Sequence, residues 1–128
     1  MKIEHLAIWV NDLELMKEFY LRFFDLQSNE KYHNPKKNFS SYFLSFPTGA
    51  RLELMHRTDI SERVENGDTK LGITHFAISL GSNEKVDVLT NTIRDAGYKI
   101  VGEPRTTGDG YYESVIADPE GNLIEITA

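Results

Sequence analysis

Two octapeptides constrain this chain more than any other feature. IEHLAIWV (Ile3 to Val10) and ITHFAISL (Ile73 to Leu80) carry Ile, His, Ala and Ile at the same places, at an offset of 70 measured from Ile3 to Ile73. A second echo follows in the same order. FPTGARLELM (Phe46 to Met55) aligns with DPEGNLIEIT (Asp118 to Thr127) at an offset of 72 measured from Glu53 to Glu125, and it also pairs Pro47 with Pro119 and Gly49 with Gly121. Short strands align easily by chance, but two alignments in one order at nearly one offset mark a duplicated unit. A chain of 128 residues is long enough for one compact domain and too short for two independent ones, so the duplicates are expected to be modules of a single fold.

Between its matched ends each half carries one amphipathic helix. In the first, Asn11 or Asp12 can cap, and Leu13, Met16, Tyr20, Phe23 and Phe24 fall on one stripe. In the second, Ser82 or Asn83 can cap, Val86, Leu89, Ile93 and Ala96 make the stripe, and Gly97 stands where a left-handed residue closes the helix. Segments of strand character follow each helix: QSNEKYH, SSYFLSF and RLELMHR in the first half, YKIV, YYESVIA and NLIEIT in the second. The unit therefore reads βαβββ, twice: an α+β fold of two βαβββ modules forming cupped mixed sheets. Module one is expected over 1–57, a linker over 58–71 (polar from Thr58 to Lys70) and module two over 72–128.

Composition then excludes several function classes. The chain has no cysteine, so a metal would have to be held by His and carboxylate, without thiolate. A net charge of −6 and a pI near 5.2 argue against a nucleic-acid surface. The one basic cluster, NPKKN from Asn34 to Asn38, reads as a solvated loop. No apolar run approaches the roughly 20 residues of a membrane helix, and Met1 leads straight into a strand pattern instead of a signal segment. The expectation is a soluble, unprocessed, cytoplasmic protein with no membrane partner.

Strand alternation turns the repeat into a candidate site. His5 shares a face with Ile3, Ala7 and Trp9, and His75 with Ile73, Ala77 and Ser79. Glu53 lies with Arg51 and Met55, and Glu125 with Leu123 and Thr127. A lone strand His is ordinarily a hydrogen-bonded core residue, and a lone strand Glu is ordinarily solvated. The same His and Glu pairing twice in one chain is a coincidence those bland explanations would need two times over. Four such groups facing an enclosed interior need a partner, and a divalent cation balances two imidazoles and two carboxylates. Zn, Ni, Co, Mn and Fe all suit that donor set, one ion per site. His56 follows Glu53 but points to the opposite face, His33 precedes the Lys loop, and TTGDGYY (Thr106 to Tyr112) lacks the following helix that a phosphate cradle needs.

On EHLAIWV, EFYLRFFDL, ITHFAISL and DPEGNLIEI, the whole chain resembles the vicinal-oxygen-chelate superfamily, the glyoxalase–bleomycin resistance protein family, and within it the glyoxalase I (lactoylglutathione lyase)-like members. The order His5, Glu53, His75, Glu125 is the feature that resembles bacterial-type glyoxalase I; fosfomycin-modifying members keep three ligands and bleomycin-binding members none. The resemblance implies a lyase that isomerises a hemithioacetal of a 2-oxoaldehyde by proton transfer next to a carbonyl, with the metal stabilising an enediolate. Glu125 is the first choice for the base and Glu53 the second. Glutathione-using relatives place Arg four residues after the first ligand His and Asn four after the first ligand Glu; here those positions hold Trp9 and Arg57, the expected substrate contacts. Another thiol adduct is therefore open as the small-molecule substrate. The resemblance also implies a homodimer in which His5 and Glu53 of one subunit meet His75 and Glu125 of the other. Two alternatives stay open: a metal-free sequestering protein holding a planar ligand between aromatics such as Trp9 and Tyr111, and an acyl-CoA epimerase on the same scaffold.

Overall fold

A computed structural model describes residues 1–60 and 72–128. The chain divides into two compact units, Met1–Arg63 and Val64–Ala128. Residues 61–71, most of the expected linker, lie outside the described residues.

In the first unit, strand β1 (His5–Trp9) leads into helix α1 (Leu13–Phe23). Asp12 is the N-cap, its side chain accepting from the Leu15 N–H, which satisfies one of the donors a helix start leaves free. Strands β2 (Gln27–Ser28), β3 (Tyr32–Asn34), β4 (Phe39–Ser45) and β5 (Arg51–Arg57) complete a mixed sheet ordered β1-β5-β4-β2, with β3 also on β4. β1 and β5 run parallel, with Ala7 opposite Glu53; β4 and β5 are antiparallel. Alternation along β5 sends Leu52 and Leu54 toward the helix and leaves Arg51, Glu53 and Met55 on the other face. Leu52 and Leu54 join Met16, Phe19, Tyr20 and Leu44 in the core. Phe19, which the helical stripe omits, is one of its largest fully buried side chains.

One expectation changes here, and the solvated reading of NPKKN holds. The single strand read from QSNEKYH is two short pieces, β2 and β3, both against β4. Asn29 causes the break: its side-chain oxygen accepts from the Phe43 N–H at 2.7 Å while its own N–H donates to the Phe43 carbonyl at 3.1 Å, so a side chain takes a ladder position. Asn34–Asn38 holds a turn of 3₁₀ helix (Pro35–Lys37) and ends at Asn38 in the left-handed region, φ 48°; its lysines are exposed.

In the second unit, β6 (His75–Ser79), helix α2 (Asn83–Asp95), β7 (Ile100–Thr106), β8 (Tyr112–Ala117) and β9 (Leu123–Thr127) repeat the arrangement, with sheet order β6-β9-β8-β7. Again the first and last strands are parallel, with Ala77 opposite Glu125. Ser82 caps α2, and Gly97 at φ 87° follows it, as the sequence predicts. The strand expected over YKIV instead runs from Ile100 through Pro104 to Thr106. Pro104 is tolerated because β7 is an edge strand, and the pairing with β8 is interrupted at Gly102. Val86, Ile93, Ile116, Ile124 and Ile126 form the core. Leu89 of the predicted stripe is only half-buried, and Thr90 is fully buried in its place: its hydroxyl donates to the Val86 carbonyl at 2.6 Å and shares a 2.7 Å hydrogen bond with Ser114. Among the described residues no helix is long and apolar enough to cross a membrane.

Candidate metal and substrate site

In each unit the helix covers one face of the sheet, and the predicted site residues stand on the other. The register makes this local. His5 is paired with Arg51 and Ala7 with Glu53, so His5 and Glu53 occupy neighbouring strands, same face, one step of the face apart. His75 pairs with Leu123 and Ala77 with Glu125, which reproduces the geometry in the second unit. Parallel pairing with the small Ala beside each Glu lets the imidazole lean across to the carboxylate.

The side chains do meet within each unit. His5 Nε2 is 3.7 Å from Glu53 Oε2, and His75 Nε2 is 3.2 Å from Glu125 Oε1. The side chains of Glu53 and Glu125 are only 14% and 22% exposed, so the solvated-face explanation for strand glutamates does not hold. His5 and His75, at 39% and 40%, are the more open partners.

The far nitrogen of each ring is also held, by a residue that pattern reasoning passes over. Glu4 Oε2 accepts from His5 Nδ1 at 2.6 Å, and Thr74 Oγ1 is hydrogen-bonded to His75 Nδ1 at 3.1 Å. Glu4 is in turn bridged by Arg51, whose Nη2 lies 2.5 Å from Glu4 Oε1 and whose guanidinium sits 4.1 Å over the Phe43 ring. The hydrogen bond from His5, with Arg51 beside it, holds the Glu4 carboxyl below the usual carboxylate range. In both units, then, the residue just before the His engages Nδ1 and leaves Nε2 toward the Glu.

That arrangement fits a divalent cation. Two donors on one ion, at about 2.1 Å for imidazole nitrogen and about 2.2 Å for carboxylate oxygen, stand at most about 4.3 Å apart. Both pairs fall within that span. At 3.7 Å the His5–Glu53 contact is too long for a direct hydrogen bond, and with Nδ1–H given to Glu4 a neutral His5 turns a lone pair toward a carboxylate. Two acceptors face to face are relieved by a cation between them. Among the described residues no group of three or more His, Asp or Glu stands close enough together to hold a metal ion; each unit brings together one His and one Glu.

Trp9 and Arg57, the expected substrate contacts, lie further along the same face of the first unit. Trp9 meets Phe39 edge-on at 6.1 Å, and Phe39 is the register partner of Arg57. Arg57 is engaged by Asp59, its Nε 2.9 Å from Oδ1, and this ion pair lowers the Asp59 carboxyl from its ordinary value. A substrate carboxylate at Arg57 would have to displace Asp59. Phe39, Phe43 and the exposed Tyr32, 6.0 Å from Phe39, extend an aromatic surface that only Trp9 announced in the sequence. His33 bonds Ser40 at an exposed position, and His56, paired with Ser40, is on the opposite face from Glu53. Thr106 and Tyr112 pair at the ends of β7 and β8, and residues 107–111 between them make the hairpin connection, turned at Gly110 with φ 94°.

Comparison with known proteins gives the same architecture. The family model described as Glyoxalase/Bleomycin resistance protein/Dioxygenase superfamily matches residues 2–126. No curated protein matches the chain. Among solved structures, glyoxalase I from Zea mays aligns with a TM-score of 0.79 at 25% identity over 98% of this chain, which spans 44% of the maize protein. The trypanothione-dependent glyoxalase I of Leishmania major aligns with a TM-score of 0.77 at 23% identity over 99% of this chain and 86% of its own. A glyoxalase family protein from Enterococcus faecalis aligns at 0.79 and 22% identity, covering 99% and 97% of the two chains. The identities of the last two bear on fold alone.

Proposed function

The chain belongs to the Glyoxalase/Bleomycin resistance protein/Dioxygenase superfamily, and from that premise we propose that it is a metal-dependent glyoxalase I-like lyase acting on the hemithioacetal of a 2-oxoaldehyde. One observation carries the reading: the His Nε2 and Glu carboxylate pair recurs in both units, each with its Nδ1 already hydrogen-bonded and its Glu largely covered. His5, Glu53, His75 and Glu125 would hold one divalent ion, Zn, Ni, Co, Mn or Fe. When bound, the ion supplies Lewis-acid polarisation of two neighbouring substrate oxygens.

The remaining chemistry belongs to the side chains. Glu125 takes the proton from the carbon bearing sulfur; the C–H electron pair forms the carbon–carbon double bond of an enediolate. The double-bond electron pair takes the proton back at the adjacent carbon, and the hydroxyl proton of the sulfur-bearing carbon passes to the neighbouring oxygen, yielding a 2-hydroxyacyl thioester with no oxidant or reductant consumed. Glu53, its counterpart, is the second candidate base. Trp9 and its aromatic neighbours line the substrate, and Arg57, exchanging Asp59 for a substrate carboxylate, would anchor the thiol portion. Trp9 in place of a charged clamp supports a thiol other than glutathione.

We further propose that the working unit is a homodimer, in which His5 and Glu53 of one subunit face His75 and Glu125 of the other. The support is that each unit brings two donors where a closed site needs more. The test is metal analysis of untagged protein followed by a turnover screen of 2-oxoaldehyde and thiol pairs. About one divalent ion per chain, with turnover lost on its removal, is expected. Protein that binds planar ligands equally well without metal, and turns over no pair, would move the reading to a sequestering protein.

A further inference from the structure

We propose that Glu4 is a positioning residue of the first half-site: held by Arg51, its carboxylate accepts a hydrogen bond from the Nδ1–H of His5 and so keeps the imidazole lone pair on Nε2, the atom facing Glu53. This rests on the reading of His5 and Glu53 as metal ligands.

The geometry is directional. Glu4 presents one oxygen to each partner, Oε2 to His5 Nδ1 at 2.6 Å and Oε1 to Arg51 Nη2 at 2.5 Å. Arg51 is itself fixed, by the Phe43 ring 4.1 Å below its guanidinium and by its backbone N–H donating to the Glu4 carbonyl at 2.9 Å. Phe43 also meets the His5 ring edge-on at 5.5 Å, so one aromatic side chain braces both members of the bracket. A carboxylate accepts and does not donate, so it admits a single neutral tautomer of its histidine.

The second half-site lacks this device. Thr74 replaces Glu4, and a hydroxyl can donate or accept, which leaves the His75 tautomer undictated. Applying the offset of 72 to Arg51 reaches Leu123, and applying it to Phe43 reaches Val115, so neither the guanidinium nor its aromatic seat is duplicated. The two histidines are thus unequal ligands: His5 is backed by charge, and His75 by a neutral dipole. Carboxylate backing raises the basicity of a ligating imidazole and orients its ring.

The experiment uses the full chain with Zn²⁺ as the probe. Long-range ¹H–¹⁵N spectra of metal-free protein in mildly alkaline solution, where imidazoles are ordinarily neutral, report the tautomer of each His. His5 is expected as the Nδ1–H form in wild type and as a mixture in Glu4→Ala. Zn²⁺ affinity, measured against a competing chelator, is expected to fall about 10- to 100-fold in Glu4→Ala and by less in Arg51→Met, which keeps the carboxylate but removes its brace. Thr74→Val should change affinity less than Glu4→Ala. A wild-type His5 protonated on Nε2, or a Glu4→Ala protein with unaltered tautomer and affinity, overturns the proposal. If wild type binds no Zn²⁺, the metalloenzyme reading fails, and the spectra of metal-free protein still decide whether Glu4 sets the tautomer.

Discussion

His75 and Glu125 stand on parallel neighbouring strands with Nε2 and Oε1 3.2 Å apart, and the Glu side chain is 22% exposed. A covered carboxylate beside an imidazole is suited both to ligate and to release and take a proton. Glu125→Gln separates the two roles, because an amide oxygen still ligates but cannot serve as base. The variant is expected to keep most of its metal and lose about 10²- to 10⁴-fold in kcat, measured on whichever oxoaldehyde and thiol pair wild type turns over. Near-normal turnover would assign the base to Glu53.

Subunit exchange tests the division of donors between units. His5→Ala and His75→Ala proteins should each bind metal weakly when pure. Mixed, they should recover part of the binding and activity, since one site of each heterodimer would then have all four donors. Sedimentation showing a fully active monomer would defeat the dimeric arrangement.

Thr90 and Ser114 form a buried hydroxyl pair, 2.7 Å apart, tying α2 to β8. Thr90→Val leaves the Ser114 hydroxyl without that partner and should cost about 1–3 kcal/mol in urea unfolding. Adding Ser114→Ala removes the orphaned group, and the double variant should be less destabilised than the sum of its singles. Strict additivity would show that the pair contributes nothing as a pair.

Acid should loosen the first unit through Glu14. Lys31 at 2.8 Å holds this carboxyl below its ordinary value, with Lys17 and the Tyr42 hydroxyl adding to the effect. A depressed folded value means stability that is present above the unfolded value, near 4.3, and lost as pH falls through the lower folded one. Glu14 is 55% exposed, so screening limits the contribution to roughly 0.5 kcal/mol. Glu14→Gln should therefore lower the urea midpoint slightly at neutral pH and hardly at about pH 3. An equal effect at both pH values would remove charge as the cause.

The duplication, both helices with their caps, and the face on which each His and Glu stands were legible because each follows from a local period or a chain offset. Three things were not. Asn29 breaks an edge strand through side-chain bonding, which leaves no trace in alternation. Thr90 looks like a surface residue until Ser114, 24 positions away, is seen to satisfy it. Glu4 escaped because alternation assigns successive strand residues to opposite faces. Residue pairing begins at His5 and engages Glu4 only through its carbonyl, which accepts from the Arg51 N–H, and the Glu4 side chain turns back onto its neighbour's ring.

Alanine at 7 and at 77 sits directly across from each glutamate in the parallel register. A single methyl group therefore stands beside each carboxylate, and both alanines are exposed, a condition on size distinct from the identity of the polar groups. A duplicate that drifted to valine or leucine at either place would keep its ladder, its helix and its His and Glu, yet would roof the carboxylate over.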